Sequence, residues 1–440
     1  MKPINHFYEN TLNAETEFLS TQIMIYKLTN IETNVVNLGH PKNYFIAATQ
    51  IIPMERYNPP DFYNVEQYFS EDEIMVRDLV RSWVDEKIIP KIEEYNEKGI
   101  FPREIINEMG DMGLFGCYIG EYGGAGLSHT AYGLICQELE RADSALRSCL
   151  SIQGSLSILP IFLYGSKKQK EKYIPKMISG KWVGCFGLTE PDHGSDLNNM
   201  ATKAIESENF FVLNGAKMWI TNGTIADLAI VWAKLDGEVR GFIVEKSDKG
   251  FSAPEMKGKH SFKSSITSEL VFQDCKIPKD RLLPNVKGMK GPLTCLSQAR
   301  FGIVWGAIGS AMCCYDASVK YAKSRIMFSK PIASFQLVQN KLAWMLREIT
   351  KAQLLAYHLG KARDSDNATS EMISLGKMNN VDMAMKVARM ARDIHGANGI
   401  LNEYPVMRHM ANLETVSLQG THDIHNLILG RWITGISAFE

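Results

Sequence analysis

The chain has 440 residues, 45% hydrophobic and 22% charged, with a formal net charge of −1. That length supports a sizeable core spread over two or three packed sub-domains, and the near-zero charge gives no support for bulk attraction to nucleic acid or an anionic membrane. The 8 cysteines form no C-x-x-C pair and no zinc-like spacing, so they read as small buried residues of a reducing compartment rather than metal ligands.

Residues 1–59 form an extension of unknown role, rich in Asn, Thr and Ile. It has no basic n-region. Glu9, Glu15, Glu17 and Glu32 precede the first arginine, Arg56, which is the wrong balance for a mitochondrial transit peptide. No run of about 18 apolar residues follows, so a transmembrane segment is not expected.

Residues 60–180 carry a helical pattern. Ser70 and Glu73 stand at capping-box spacing, and Val76, Leu79, Val80 and Trp83 follow at helical spacing. The stretch ELERADSALRSCLS (138–151) predicts one helix. Arg147 lies two turns after Glu140, so the two share a face. Ser144, Ser148 and Ser151 surround the arginine, a set suited to holding a carboxylate; the plain alternative is a solvated helix face.

The texture changes near Gly180, and residues 181–290 predict a compact β domain with Asn214-Gly215 and Asp236-Gly237 as hairpin turns. GCFGLTEPDHGSD (184–196) is dense in glycine and hydroxyls, so backbone N–H groups can approach a planar or anionic ligand, with Thr189 and Ser195 as added donors. A tight interdomain turn explains the same residues. In KMWITNG (217–223), alternation puts Trp219 and Thr221 on one face, as the border of a stacked ring or as an ordinary half-buried strand.

Residues 291–440 return to long helical patterns. Arg325, ahead of Phe328 and Pro331, suits a pyrophosphate or a helix-end surface. DIHGANGILNEY (393–404) places Gly396, Ala397 and Gly399 at a helix terminus, where a simple helix stop is the plain reading. NLETVSLQGTHDIHNLILG (412–430) ends a helical run at a Gly-Thr-His-Asp cluster. The fold class is α+β, in the order helical, β, helical, with no fixed-period repeat.

Taken together and in order, GCFGLTEPDHGSD, WITNG, ARFGI, RHMANLE and GTHDIHNLILGR resemble the acyl-CoA dehydrogenase family over roughly residues 60–440, most nearly its glutaryl-CoA dehydrogenase branch. The resemblance implies a helical N-terminal domain, a middle β domain and a C-terminal helical bundle. It implies FAD, an acyl-CoA thioester substrate, an electron-transfer flavoprotein as acceptor, a homotetramer and the mitochondrial matrix. The implied reaction is oxidative decarboxylation of glutaryl-CoA to crotonyl-CoA in lysine and tryptophan breakdown. By the same resemblance the flavin is cradled by Phe186, Leu188, Thr189, Gly194, Ser195, Trp219, Ile220 and Thr221, with Thr421 and Asp423 nearby. Arg325, Phe328, Gln336, Asp393, His395, Gly396 and Ala397 match residues holding the diphosphate and adenine across a subunit interface. Ser195, Ser297, Arg300 and Gly420 match acyl-CoA contacts. Glu140, Arg147, Ser148 and Ser151 match the cluster that holds a distal carboxylate.

The chemistry of such a site needs a base for the proton on the carbon next to the thioester, and donors for the developing enolate. The family's base is a glutamate in a Tyr-Glu-Gly-Thr segment. Here the residues are Leu418, Gln419, Gly420 and Thr421, and the segment is one residue short. An amide has no useful proton affinity near neutral pH. The family's second base position is Ala299, and the nearest upstream acid is Glu414. Ser329 replaces a usual glycine and Lys263 a common arginine. Three functions remain open: a dehydrogenase with an unusual base, a paralogue binding FAD and acyl-CoA without turnover, and an acyl-CoA oxidase.

Overall fold

The computed structural model describes residues 57–438, so the extension assigned to 1–59 lies outside the described residues except for its last three. The first helices are α1 (Glu71–Trp83), α2 (Ile92–Lys98) and α3 (Arg103–Asp111), followed by α4 (His129–Ala142), α5 (Ser144–Ser151), α6 (Leu159–Tyr164) and α7 (Lys167–Ile178). The capping box forms: Ser70 Oγ accepts from the Glu73 N–H, and Glu73 Oε2 accepts from the Ser70 N–H at 2.9 Å.

The single helix expected over 138–151 is corrected to two. Asp143 is extended (φ −164, ψ 144) between α4 and α5. Its carboxylate accepts the Ala145 N–H at 2.8 Å, the local side-chain bond that lets aspartate end one helix and cap the next. The helical stretch Ser144–Tyr164 is long and apolar enough to cross a membrane by length and composition, but 83% of its most apolar window is buried inside the protein. It is core.

The middle part is a seven-stranded sheet of β1 (Gly184–Gly187), β2 (Lys203–Glu206), β3 (Phe210–Thr221), β4 (Leu228–Leu235), β5 (Glu238–Glu245), β6 (Phe251–Ser252) and β7 (Thr267–Pro278). Its order is β1-β4-β2-β3-β7-β6, with β5 on β4. Asp236-Gly237 closes the β4–β5 hairpin, with φ 51 and 81, as a primed turn demands. Asn214-Gly215 does not close one. It lies inside β3 at a register shift against β7. The Asn214 side chain is tied to Asp274, and a Cβ on Gly215 would stand 2.6 Å from Thr202 Oγ1. The same residue pair serves a bulge as well as a turn.

The last part holds α8 (Lys290–Ser324), the short hairpin β8–β9 (Ile326–Met327 and Lys330–Pro331), α9 (Gln336–Asp364), α10 (Ser370–His395), α11 (Val406–Leu418) and α12 (His422–Thr434). One continuous core joins both helical parts and one sheet face through residues such as Tyr132, Trp232, Phe301 and Trp305. The other sheet face packs its own core around Phe211, Phe242, Leu270 and Phe272. Every cysteine is buried except Cys313, which is half-buried, and all are free thiols.

Candidate active site

Helices α4 and α5 bring Glu140 and Arg147 together. Arg147 Nε donates to Glu140 Oε2 at 2.5 Å, and Ser144 Oγ donates to Glu140 Oε1 at 2.9 Å. Both charged residues are buried, as are Ser148 and Ser151, so the solvated-face alternative is overturned. α8 passes over the pair at Gly306, where a Cβ would lie 2.0 Å from Glu140 Oε2; only glycine leaves room for the carboxylate. Arg147 Nη2 is buried and has no partner among the described residues. A desolvated guanidinium edge in that state calls for an anionic acceptor.

Asp143 ties this helix junction to the rest of the molecule. Besides capping α5 it accepts from Arg408 Nη1 at 3.0 Å, Asn412 Nδ2 at 2.9 Å and Ser264 Oγ at 3.2 Å. Residues from all three parts of the chain thus meet at the base of the Arg147 helix.

The second half of the site is the turn from α11 into α12. Gln419 follows the last residue of α11, Gly420 has φ 79, and the Thr421 hydroxyl caps α12 by accepting the Ile424 N–H at 3.3 Å. Buried beneath, Lys377 of α10 donates to the carbonyls of Ser417 (2.9 Å) and Gly420 (2.7 Å). Burial, then the charges of Arg300 and Arg147, push its ammonium down to about 7. Arg300 of α8 faces the same turn: its Nε and Nη2 lie 3.1 and 3.4 Å from where a Cβ on Gly420 would be. His425 Nε2 lies 3.2 Å from that point, and neither of its ring nitrogens has a side-chain partner among the described residues. Burial and the neighbouring Lys377, Arg300 and His422 push this imidazole down to about 3, so it is neutral at pH 7.

No carboxylate among the described residues pairs with Lys377, Arg300 or His425. Gln419 is a half-buried amide, and Ala299 is buried. Glu414 is exposed and lines a separate surface depression with Asp382, Lys386 and Arg389. Asp423 is exposed in the first turn of α12. The Ser297 hydroxyl is bonded to the Leu293 carbonyl of its own helix at 3.1 Å.

Between these helices and the sheet runs the 186–221 surface. Phe186 and Leu188 are buried at the end of β1. The Thr189 carbonyl accepts from the Met218 N–H at 2.8 Å, joining the loop to β3. Buried Glu190 organises the loop: it accepts from Lys217 Nζ at 2.7 Å and from the Thr202 N–H at 2.9 Å. Against the upward push of burial, those bonds hold its carboxyl down at about 2. Gly194 and Ser195 are exposed on the loop. A bulge between Lys217 and Ile220 sets Trp219 at φ 63 and turns its indole outward, 59% exposed, while Ile220 is buried and Thr221 half-buried. An aromatic held outward by a strained bulge beside a hydroxyl-bearing loop suits a planar ring system.

A further surface lies past α8. Arg325 is exposed, with no hydrogen-bond or ion-pair partner for its side chain among the described residues; Phe328 is 85% exposed, and Gln336 opens α9 in solvent. Asp393 is held by Lys341 and by Arg392 (3.1 Å), which joins the start of α9 to the end of α10. Gly396 and Ala397 are exposed beside it. His395 points inward instead, buried against Tyr321 with ring centroids 4.4 Å apart.

Lys377, His425, Asp143 and the Glu190–Lys217 pair were not anticipated from sequence. Glu190 sits inside the quoted glycine-rich motif, where its acid was a usable signal. Lys377 meets a carbonyl 43 positions away, and no local spacing rule spans that distance.

Comparison with known proteins gives three family matches in chain order. The acyl-CoA dehydrogenase N-terminal domain matches residues 70–181, the middle domain 185–275 and the C-terminal domain 286–434. An acyl-CoA dehydrogenase of Bacillus subtilis (strain 168) is 34% identical over 376 residues, covering 84% of this chain and 99% of that one. The caffeyl-CoA reductase-Etf complex subunit CarC of Acetobacterium woodii is 32% identical, covering 82% and 98%. Two crystal structures of glutaryl-CoA dehydrogenase from Mycobacterium smegmatis superpose with TM-scores of 0.84 and 0.86 at 48% and 43% identity. They cover 85% and 87% of this chain and 97% and 100% of theirs, and the second is in complex with FADH2. The surface described here fits such a group: outward Trp219, the Thr189–Ser195 loop and Thr221 suit the ring system, and unpartnered Arg325 suits a diphosphate.

Proposed function

We propose, for a chain that belongs to the acyl-CoA dehydrogenase family and binds FAD, that the substrate is the CoA thioester of a short dicarboxylic acid, glutaryl-CoA by likeness to the M. smegmatis enzyme. One observation carries this reading. Arg147 is buried, its Nε is engaged by Glu140, and its Nη2 edge is left without an acceptor among the described residues. A monocarboxylyl chain would leave that edge unsatisfied, whereas a distal carboxylate completes it. In this reading Arg147 anchors the far end of the acyl chain, Glu140 fixes the guanidinium, and the Gln419–Gly420 turn borders the thioester end. FAD supplies the redox capacity when bound. The likeness to CarC, named as a subunit of an Etf complex, supports an electron-transfer flavoprotein as the acceptor.

A second reading, binding without turnover, is favoured by the turn itself. Gln419 is neutral, and Arg300, Lys377 and His425 bring no negative charge to the place where a proton must be taken. An acyl-CoA oxidase needs the same base, so it gains no support over either. Exposed Phe328, Leu337, Trp432, Ile433 and Ile436 support assembly with further copies of the chain, a homotetramer by likeness; sedimentation of the holoprotein tests that.

Anaerobic titration of the flavin spectrum tests the substrate. Glutaryl-CoA should perturb the spectrum at lower concentration than butyryl-CoA, and equal affinities would refute dicarboxylyl selection. Bleaching with glutaryl-CoA identifies a dehydrogenase; perturbation without bleaching in wild type, and bleaching in Gln419→Glu, identifies the binding-only protein. Peroxide formed in air without an acceptor protein marks an oxidase.

A further inference from the structure

Asn412 of α11 ties the two halves of the candidate site together with one buried side chain. Its Oδ1 accepts the Phe262 N–H at 2.8 Å, and its Nδ2 donates to Asp143 Oδ2 at 2.9 Å. A backbone donor on one side and a carboxylate on the other admit only this orientation of the amide. The Asp143 end stands at the start of α5, where the other carboxylate oxygen caps the helix four residues before Arg147. The Phe262 end stands on the 258–266 segment that leads into β7. Lys259 Nζ stiffens that segment by donating to the carbonyls of Phe262 (2.9 Å) and Ser265 and to Thr267 Oγ1 (2.7 Å). Ser264 of the same segment bonds Asp143 Oδ1 at 3.2 Å, and Ser261 Oγ lies 2.6 Å from Thr415 Oγ1 of α11. The Thr415 carbonyl in turn accepts the Gln419 N–H at 3.3 Å. Asn412 and Thr415 are three positions apart, so one face of α11 takes both grips, just ahead of the Gln419–Gly420 turn. Arg408, one turn earlier on α11, also reaches Asp143, through a longer side chain shared with Glu93. Asn412 is the shorter link and the one nearer the turn.

We propose that Asn412 is a positioning residue that fixes the span between the Gln419–Gly420 turn and Arg147, and through it the chain length of the dicarboxylyl thioester accepted. This rests on the reading above, in which the turn borders the thioester and Arg147 holds the distal carboxylate. Both ends of the Asn412 amide are engaged, so it acts through Asp143 and α11 and not on the substrate. Arg147 by itself separates dicarboxylyl from monocarboxylyl chains. Length is a second property, because one chain must then meet two fixed points at once. A chain one methylene short falls away from Arg147, and one methylene long must buckle. That selection works only while the two points cannot drift apart. Glu140 fixes the Arg147 guanidinium but has no bond to α11; the closed triangle of α11, the 258–266 segment and Asp143 supplies the missing constraint.

The test titrates the flavin spectrum of the FAD holoprotein anaerobically with succinyl-, glutaryl- and adipyl-CoA, which differ by one methylene each, and with butyryl-CoA as the monocarboxylyl reference. Wild type should favour one length, glutaryl-CoA on the reading above, over its neighbours by about tenfold, the scale of one misplaced methylene. Asn412→Ala should lose most of that length preference while all three dicarboxylyl thioesters still bind more tightly than butyryl-CoA, because Arg147 is untouched. A loss of stability alone would weaken all three alike and leave their ratios standing. The Arg408–Asp143 pair remains in this variant to hold the fold. Thr415→Val removes the bond to Ser261 at nearly constant volume. It should shift the ratios the same way by less, and it decides the matter if Asn412→Ala fails to fold. Unchanged length ratios in both variants, beside an intact dicarboxylyl preference, overturn the proposal and leave the substrate reading standing. Dicarboxylyl preference without any length preference in wild type overturns it equally. A wild type that binds butyryl-CoA as tightly as the dicarboxylyl thioesters refutes the substrate reading, and the span argument with it.

Discussion

Arg147 reaches back across the break at Asp143 to bond Glu140 at 2.5 Å, inside the protein. A continuous helix would put the two residues on one face with their side chains along the axis. The break at Asp143 lets α5 leave α4 while its arginine still returns to the acid. The remaining Nη2 edge is fixed by that bond.

Replacing Arg147 by Met should therefore weaken glutaryl-CoA binding by about 10–100-fold, the worth of a charge-assisted bond of about 1.5–3 kcal/mol, while butyryl-CoA binds as in wild type. Flavin titration reads both. The single variant leaves Glu140 buried without its cation, so it should also lower the melting temperature. Arg147→Met combined with Glu140→Gln should recover much of the stability and none of the selectivity.

Gly306 is the clearance for that pair. Gly306→Ala places a methyl 2.0 Å from the Glu140 carboxylate, and either the α4–α8 packing or the ion pair must yield. Overpacking of this kind costs about 1–3 kcal/mol, read as a lower midpoint in urea. Holoprotein that survives should discriminate glutaryl-CoA from butyryl-CoA less well than wild type.

Glu190 is the keystone of the loop beside Trp219. Glu190→Ala removes the partner of fully buried Lys217 and the acceptor of the Thr202 N–H. The expected loss is about 3–5 kcal/mol, as for breaking any buried pair from one side, with FAD retention falling alongside. Glu190→Gln keeps the hydrogen-bond acceptor and should lose less of both. Equal FAD retention in Glu190→Ala and wild type would show that the loop does not depend on the pair.

The pH dependence has a definite sign. His425 is pushed down to about 3 and His129 to about 4, each first by burial. Between those values and an unfolded histidine near 6.5, the unfolded chain binds more protons than the native one, so stability falls as pH falls. Melting temperatures should thus drop steadily from about pH 6.5 towards 4. Replacing His425 by Asn should flatten that slope, and an unchanged slope would show that the imidazole charges freely in the folded state.

The fold order was legible because its signals are local. The Ser70–Glu73 cap, the Asp236-Gly237 hairpin and the switch between helical and β texture each sit within a few residues. Asn214-Gly215 misled because a bulge and a hairpin both favour the same flexible pair, and only the neighbouring Thr202 decides between them. Glu140 and Arg147 share a helical face on paper, but their burial is imposed by α8, more than 150 positions on. The surroundings of Gln419 come from three separate helices, with Arg300 of α8, Lys377 of α10 and neutral His425 of α12, so the sequence could reveal the missing acid but not the groups around it.

The β8–β9 turn offers the last case. Phe328 and Ser329 both adopt left-handed backbone, φ 51 and 63, as a two-residue hairpin turn requires. A side chain in that region costs about 1–2 kcal/mol, so Ser329 stores strain where glycine would not. Glycine also loses more freedom on folding, which offsets part of the gain by about 0.5–1 kcal/mol. Ser329→Gly should therefore raise stability by no more than about 1 kcal/mol, read as a small upward shift in urea midpoint. The turn stands between Arg325 and Gln336, which by resemblance match residues holding the diphosphate and adenine of FAD. If the strain holds Arg325 in place, the same variant should retain FAD less tightly although it is more stable. Tighter retention would show that the serine only strains the turn.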